Sequence, residues 1–375
     1  MFYKNARIFC SDFQFREGAF EVVDGRFGQI LPENVPADAV DLQGATVIPG
    51  LVDVHIHGAM GADVSDGEYD GLVRMGRHLA SCGVTSFAPA SMTLPYEVLS
   101  KAYAVARRVA DEVPEGCARL KGIHMEGPYF AMSRRGAQNP AYIKNPDYEG
   151  FKKLYDDCGG LIRIADLAPE LDGAVEFVEK VKALCTVSVA HTDTDYDHAK
   201  AAFDAGATHL THLYNTMPGI HHRKPGPIPA ACENPKVRAE LICDGLHVHP
   251  ASVRLAFSMF GGQRIVLISD ALRCCGMPDG EYELGGQQVY LSGGIAKLAD
   301  GTIAGSATDL FECMRRAVTF GIKAEDAVRA ATWNPACAID AQQEIGSIET
   351  GKLADFVVCT AAFDRIAVYQ GGKKL

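Results

Sequence analysis

Five segments of this chain end an apolar run on side chains that bind metal ions or move protons. Asp53-Val54-His55-Ile56-His57 sets two imidazoles two residues apart, and Glu126 closes Ile123-His124-Met125-Glu126. His191 follows Val189-Ala190, His212 follows Leu210-Thr211, and Asp270 follows Leu267-Ile268-Ser269. Side chains alternate along a strand, so His55 and His57 share one face and can grip one cation. A carboxylate ending an apolar strand is costly to bury unpaired, and a cation offsets that cost. Taken alone, each segment also reads as an ordinary core or surface residue, and a His-x-His pair is weak. All six together (His55, His57, Glu126, His191, His212 and Asp270) read as a centre for divalent cations. Imidazole and carboxylate donors suit Zn, Fe, Mn or Co and do not choose among them.

These residues need strands to carry them. Apolar or β-branched runs occur at 51–57, 83–90, 120–126, 161–168, 186–191, 208–212, 239–243 and 264–270. Between most of them lie amphipathic helical patterns at 69–82, 95–113, 148–157, 172–184, 196–205 and 250–260, with a shorter one at 226–233. Strands alternating with helices in this number predict a parallel (β/α)8 TIM-like barrel, in which every strand opens at its C-terminal end on one face. The six side chains would converge there. No glycine-rich phosphate loop opens a helix, as an open doubly wound sheet would favour. After the eighth strand comes a turn-rich excursion at 276–305 and then a helix at 307–320.

The two ends read differently. Residues 1–48 alternate in a β pattern with Asp24-Gly25 as a hairpin signal, and the stretches 355–358 and 366–369 are also β. Neither end could bury a core alone. Both are therefore expected to build one small β-sandwich domain from residues 1–48 and 341–375, beside a barrel spanning 49–340.

Composition bounds the partners. Hydrophobic residues make up 47% and charged residues 22%, the balance of a chain that folds around a core. A net charge of -11 argues against nucleic acid or an anionic membrane as the main partner. It leaves room for a small anionic substrate in one local cationic pocket. No apolar run is long enough to span a bilayer and Met1–Arg7 has no signal-peptide core, so a cytoplasmic location is expected. The 12 cysteines form no CxxC pair and sit mostly in apolar segments, as buried reduced thiols do. Cys274-Cys275 falls in a loop near the expected site, where a redox role is the weaker reading. His78 and His198 lie in helical patterns, and His209, three residues before His212, is expected to face away from it. His124 shares the face of Glu126 and could stand behind the ligands.

The chain resembles the amidohydrolase superfamily and, within it, the N-acetylglucosamine-6-phosphate deacetylases, over nearly its whole length. The resemblance rests on Val47-Ile48-Pro49-Gly50-Leu51-Val52-Asp53, Glu126-Gly127-Pro128, Thr211-His212-Leu213-Tyr214-Asn215, Asp244-Gly245-Leu246-His247, Ser269-Asp270-Ala271 and the closing segment 346–356. The resemblance implies Glu126, His191 and His212 as the most constant ligands. It implies His55 and His57 as completing a second position, so up to two ions with Glu126 as bridge. Asn215, Arg223 and His247 match contacts to the sugar phosphate, and Thr216 lends its backbone. Gln138, in Gly136-Ala137-Gln138-Asn139, stands where some members carry a histidine that holds the substrate carbonyl, which leaves its role open. A homodimer is implied too, because this arginine can reach a neighbouring subunit's site.

The implied reaction is hydrolysis of N-acetylglucosamine 6-phosphate to glucosamine 6-phosphate and acetate. Asp270 would take a proton from water and pass it to the leaving amine. The alternatives are a deacetylase of N-acetylgalactosamine 6-phosphate, another amidohydrolase such as a D-aminoacylase, and a non-catalytic scaffold. A scaffold would be expected to lose ligands, and here all six positions are filled.

Overall fold

A computed structural model describes residues 1–375. The eight expected runs carry strands at Leu51–Asp53, Val84–Phe87, Ile123–Tyr129, Ile162–Leu167, Thr186–Val189, His209–Leu210, Arg238–Ile242 and Ile265–Ile268. Each pairs in parallel with the next. The second resumes at Ala90–Ser91 after a break, and the third has a separate first piece, Arg119–Leu120. The ring closes between the eighth and first strands just past their ends. There the Asp270 N–H donates to His55 O at 2.9 Å, and the N–H groups of His57 and Gly58 donate to Ala271 O at 2.9 and 3.0 Å.

Period-two alternation sorts the strand residues. Ala165, Leu167, Ala239, Leu241, Ile265 and Leu267 face the helices and join the large outer core. Val52, Val54, Ala88, Ile164, Ile242, Val266 and Ile268 point inward and pack together with Ala336, Ala338 and Ile339. The outer helices lie at Tyr69–Ser81, Tyr96–Glu112, Tyr148–Asp157, Ala174–Val181, Tyr196–Ala205, Pro227–Glu233, Pro250–Phe260 and Leu310–Thr319. Aspartates start several of them: Asp147, Asp195 and Asp309 accept the N–H of Gly150, His198 and Glu312. Two more helices, Ala324–Ala331 and Trp333–Ala338, form where the periodicity singled out none. No helix is long and apolar enough to cross a membrane.

The stretch expected as turns is a four-stranded antiparallel sheet, Gly280–Leu284, Gln287–Ser292, Ile295–Leu298 and Ile303–Ser306. Its glycine pairs explain the sequence impression. Gly285 and Gly286 have φ 56 and 85°, and Gly293 and Gly294 have φ 58 and 79°, the left-handed backbone of two-residue hairpin turns. Leu284, Val289, Leu291 and Ala296 of this sheet pack on Met92, Ala137 and Leu272 at the mouth of the barrel.

Strands from both termini form one seven-stranded mixed sheet. Its order is Lys373–Lys374, Arg365–Gln370, Phe356–Cys359, Val40–Pro49, Phe2–Phe9, Phe15–Val23, Arg26–Ile30. Tyr3, Phe20 and Phe356 fill its core, with Tyr3 stacked on Phe20 at 4.9 Å.

Candidate metal centre

The six expected side chains meet at the C-terminal mouth of the barrel. Glu126 sits at the middle, buried, and its two oxygens face different partners. Oε1 lies 3.1 Å from His191 Nε2 and 3.3 Å from His212 Nε2. Oε2 lies 3.3 Å from His57 Nε2. His55 Nε2 is 3.5 Å from Glu126 Oε1, and Asp270 Oδ1 stands 3.6 and 3.4 Å from His55 and His57 Nε2.

Three positions leave their strands in a strained backbone. His191, His212 and Asp270 have φ of 43, 31 and 48°, in the left-handed region that non-glycine residues avoid. Each sits just past a strand end, and the sharp turn swings its side chain over the mouth. Strain of this kind persists where surrounding structure enforces it, and it clusters at functional sites.

The donor chemistry fits a divalent cation. The His57 Nδ1–H donates to Ala90 O at 3.0 Å, and the His191 Nδ1–H donates to Arg134 O at 2.9 Å. The His55 Nδ1 proton is shared with Glu240 Oε2 at 2.9 Å. With Nδ1 protonated, the neutral rings of His55, His57 and His191 aim Nε2 lone pairs at carboxylate oxygens; His191 and His212 Nε2 are 3.1 Å apart, and His212 Nδ1 is buried without a partner. Lone pairs at such distances repel unless positive charge lies among them. His55 Nε2 is buried with no hydrogen-bond partner at all. Either protons or cations must supply the charge, and backbone or carboxylate partners on the far nitrogen are how metal-binding histidines are held.

Electrostatics express the same demand. Burial would push the Glu126 carboxyl up, but the imidazoles of His57 and His55 and the bonds from His191 and His212 hold it well below the usual carboxylate range. Burial would lower His57, yet Glu126 and Asp270 lift it to about 10. His55 is likewise raised, against its burial, by Glu240, Asp270 and Glu126.

A pocket of about 230 Å³ opens above this cluster. Gln138, Asn215, Thr216 and His247 line it. Gln138 Nε2 donates to Glu126 Oε2 at 2.6 Å, so its amide is already committed to the central carboxylate. The Thr216 carbonyl accepts the Thr192 N–H at 3.1 Å. His247 Nδ1 lies 2.6 Å from Asp244 Oδ2, and Asp244 also takes the N–H groups of Leu246 and His247. Arg223 is not brought into the pocket. It is exposed, with Nη1 against His222 Nε2, and no lysine or arginine of this chain lines the cavity.

One sequence reading changes. His209, expected to face away, is buried in the barrel interior with Nε2 3.1 Å from Glu240 Oε1. Its strand ends at Leu210 and the chain turns at His212, so counting by twos from His212 fails. His124 donates to Val54 O and pairs with Asp166 Oδ1, both at 2.9 Å, with its ring 4.4 Å from that of His55. Glu240 was missed. The signal was a lone carboxylate in the apolar run Ala239-Glu240-Leu241-Ile242. All twelve cysteines are free, and burial pushes the Cys274 thiol up to about 11, with Cys275 raised as well, which disfavours the thiolate form of both.

A sequence profile of the amidohydrolase family matches residues 46–374. The chain is 36% identical over 372 residues to an N-acetylglucosamine-6-phosphate deacetylase of Bacillus subtilis, covering 96% of this chain and 92% of that one. It is 34% identical over 340 residues to an N-acetylgalactosamine-6-phosphate deacetylase of Escherichia coli, covering 90% and 89%. A solved structure, an aspartate-to-alanine mutant of N-acetyl-D-glucosamine-6-phosphate deacetylase from Mycobacterium smegmatis in complex with its sugar phosphate, superposes with a TM-score of 0.94. It shares 33% identity, with 100% of this chain and 98% of that chain covered. A barrel whose strand ends gather histidines and carboxylates, matched along most of its length, places the chain in a family: it belongs to the amidohydrolase family.

Proposed function

We propose that this chain hydrolyses N-acetylglucosamine 6-phosphate to glucosamine 6-phosphate and acetate, using a centre built from His55, His57, Glu126, His191, His212 and Asp270. The observation that carries the reading is the meeting of all six around the Glu126 carboxylate, five of them lining one pocket with His55 buried behind. The glucosamine epimer is favoured because the solved structure that superposes with the whole chain holds that sugar phosphate.

An amide is a weak electrophile and water a weak nucleophile. A divalent ion supplies Lewis acidity that polarises the carbonyl and lowers the pKa of water towards ~7. His191 and His212 with Glu126 would hold one such ion, and His55 and His57 with Glu126 a second. Asp270 remains a carboxylate: burial would raise it, but His55 and His57 hold it below its ordinary value. It takes the proton of the attacking water and returns it to the amine as the C–N bond breaks, which a single carboxylate can do in both steps. Gln138 steadies Glu126. Asn215, the Thr216 backbone and His247 bind the sugar phosphate at the pocket wall.

No arginine or lysine of this chain reaches that wall, which supports a homodimer in which Arg223 of one subunit meets the phosphate in its neighbour. Acetate release from N-acetylglucosamine and N-acetylgalactosamine, each with and without 6-phosphate, tests the reading. Turnover confined to the phosphorylated glucosamine is expected. Equal turnover of the unphosphorylated sugars would overturn it.

A further inference from the structure

Glu240 is wholly buried in the barrel interior, in the middle of the seventh strand. A carboxylate there needs several donors to remain ionised. It has His55 Nδ1 at 2.9 Å, His209 Nε2 at 3.1 Å and the backbone N–H of His212 at 3.3 Å. It lies on the far side of the His55 ring from the pocket and contacts no substrate space. A cation held between His55, His124 and Glu240 is the competing account. It does not fit. The His124 ring has both nitrogens engaged elsewhere, by Val54 O and Asp166 Oδ1. The 2.9 Å between His55 Nδ1 and Glu240 Oε2 is the length of a charge-assisted hydrogen bond with the proton between them.

We infer that Glu240 is the positioning residue of His55: it accepts the Nδ1 proton, locks the ring, and leaves Nε2 bare toward Glu126 and Asp270. The inference rests on the reading of the centre as two cation positions. The position that uses His55 and His57 then depends on Glu240. The other draws its rings from elsewhere, since the His191 Nδ1–H is fixed by Arg134 O. His212 feels Glu240 only through a long backbone bond. The barrel interior thus grades the two positions by how firmly their imidazoles are oriented.

Equilibrium dialysis of the full chain against Zn2+ alone, with ions per chain counted, tests this. The wild type is expected to bind two ions. Glu240→Leu should weaken one of the two affinities by roughly 10- to 100-fold, the usual loss when the partner behind a ligand is removed, and leave the other within about threefold. Glu240→Gln, whose carbonyl can still accept the Nδ1–H, should recover most of the loss and serves if the leucine variant does not fold. In a His55→Asn background the one remaining ion should bind equally with and without the added Glu240→Gln change, because the effect acts through His55. Two ions bound as tightly in Glu240→Leu as in wild type, or equal weakening of both, would overturn the role of Glu240. A wild type that binds fewer than two ions would instead overturn the two-position reading and this inference with it.

Discussion

The backbone N–H of Thr93 donates to Gln138 Oε1 at 2.8 Å, and this bond decides which end of the Gln138 amide faces Glu126. The carbonyl end is taken, so the NH2 group points at Glu126 Oε2. Gln138 is therefore a donor to the central carboxylate of the cluster. Gln138→Ala should lower kcat by about tenfold, since a hydrogen bond to a charged group contributes about 1.5–3 kcal/mol and part of it would be replaced by water. Steady-state acetate release measures this. A rise in KM with kcat unchanged would mean that Gln138 works through the substrate instead.

Asp270→Asn keeps the shape of the side chain and removes its basicity. Its backbone bonds to His55 and Ser306 do not involve the carboxylate, so the fold should survive. We expect kcat to fall by about 100-fold or more, the range for lost general acid–base catalysis, with the melting temperature of the protein near that of wild type. Activity within about threefold of wild type would move proton transfer to another group.

Arg223→Ala should cost about 2–5 kcal/mol in kcat/KM for the phosphorylated sugar, as for one partner of a buried charge pair, and little for the unphosphorylated one. Because Arg223 lies outside its own pocket, mixing Arg223→Ala with Asp270→Asn after subunit exchange should restore activity above that of either variant. No recovery on mixing would place Arg223 in service of its own chain.

His247 and Asp244 give a pH prediction. Burial would lower the His247 imidazole, but the bond and charge of Asp244 raise it; burial would raise Asp244, but His247 and two backbone N–H groups hold it down. A depressed carboxylate contributes stability above its unfolded pKa, about 3.9, and loses it as pH falls through its folded value. A raised histidine contributes below its unfolded pKa, about 6.5, and loses it as pH rises through its folded value. The pair therefore contributes most between about pH 4 and 6.5. Asp244→Asn should lower the melting temperature most in that window and progressively less at alkaline pH. A deficit that grows with alkalinity would contradict the pairing.

The sequence made the barrel legible where apolar runs ended abruptly on a histidine or carboxylate, as at His191 and Asp270. It made the helices legible where period 3.6 was clean, as at Tyr148–Asp157 and Tyr196–Ala205, whose bounds match the pattern. Glu240 stayed hidden because alternation says that two faces exist without saying which one looks into the barrel. His209 was misplaced because parity holds only while the strand continues. The sheet at Gly280–Ser306 read as turns because its short strands are punctuated by glycine pairs. The position of Arg223 outside its own pocket could not be read from its neighbours in sequence, since loop direction is set by packing.

The ring of strands closes through Asp270 N to His55 O and His57 N to Ala271 O, so three residues of the candidate centre also carry closing links. Maturation of the barrel and assembly of the site are thus one event. A partly folded chain whose last strand has not docked carries an unfinished set of donors. A chain that has sealed its circumference holds His55, His57 and Asp270 in register with no separate adjustment. The amide protons of His57 and Asp270 sit at that seal, and their exchange with solvent would report how often the ring breathes open.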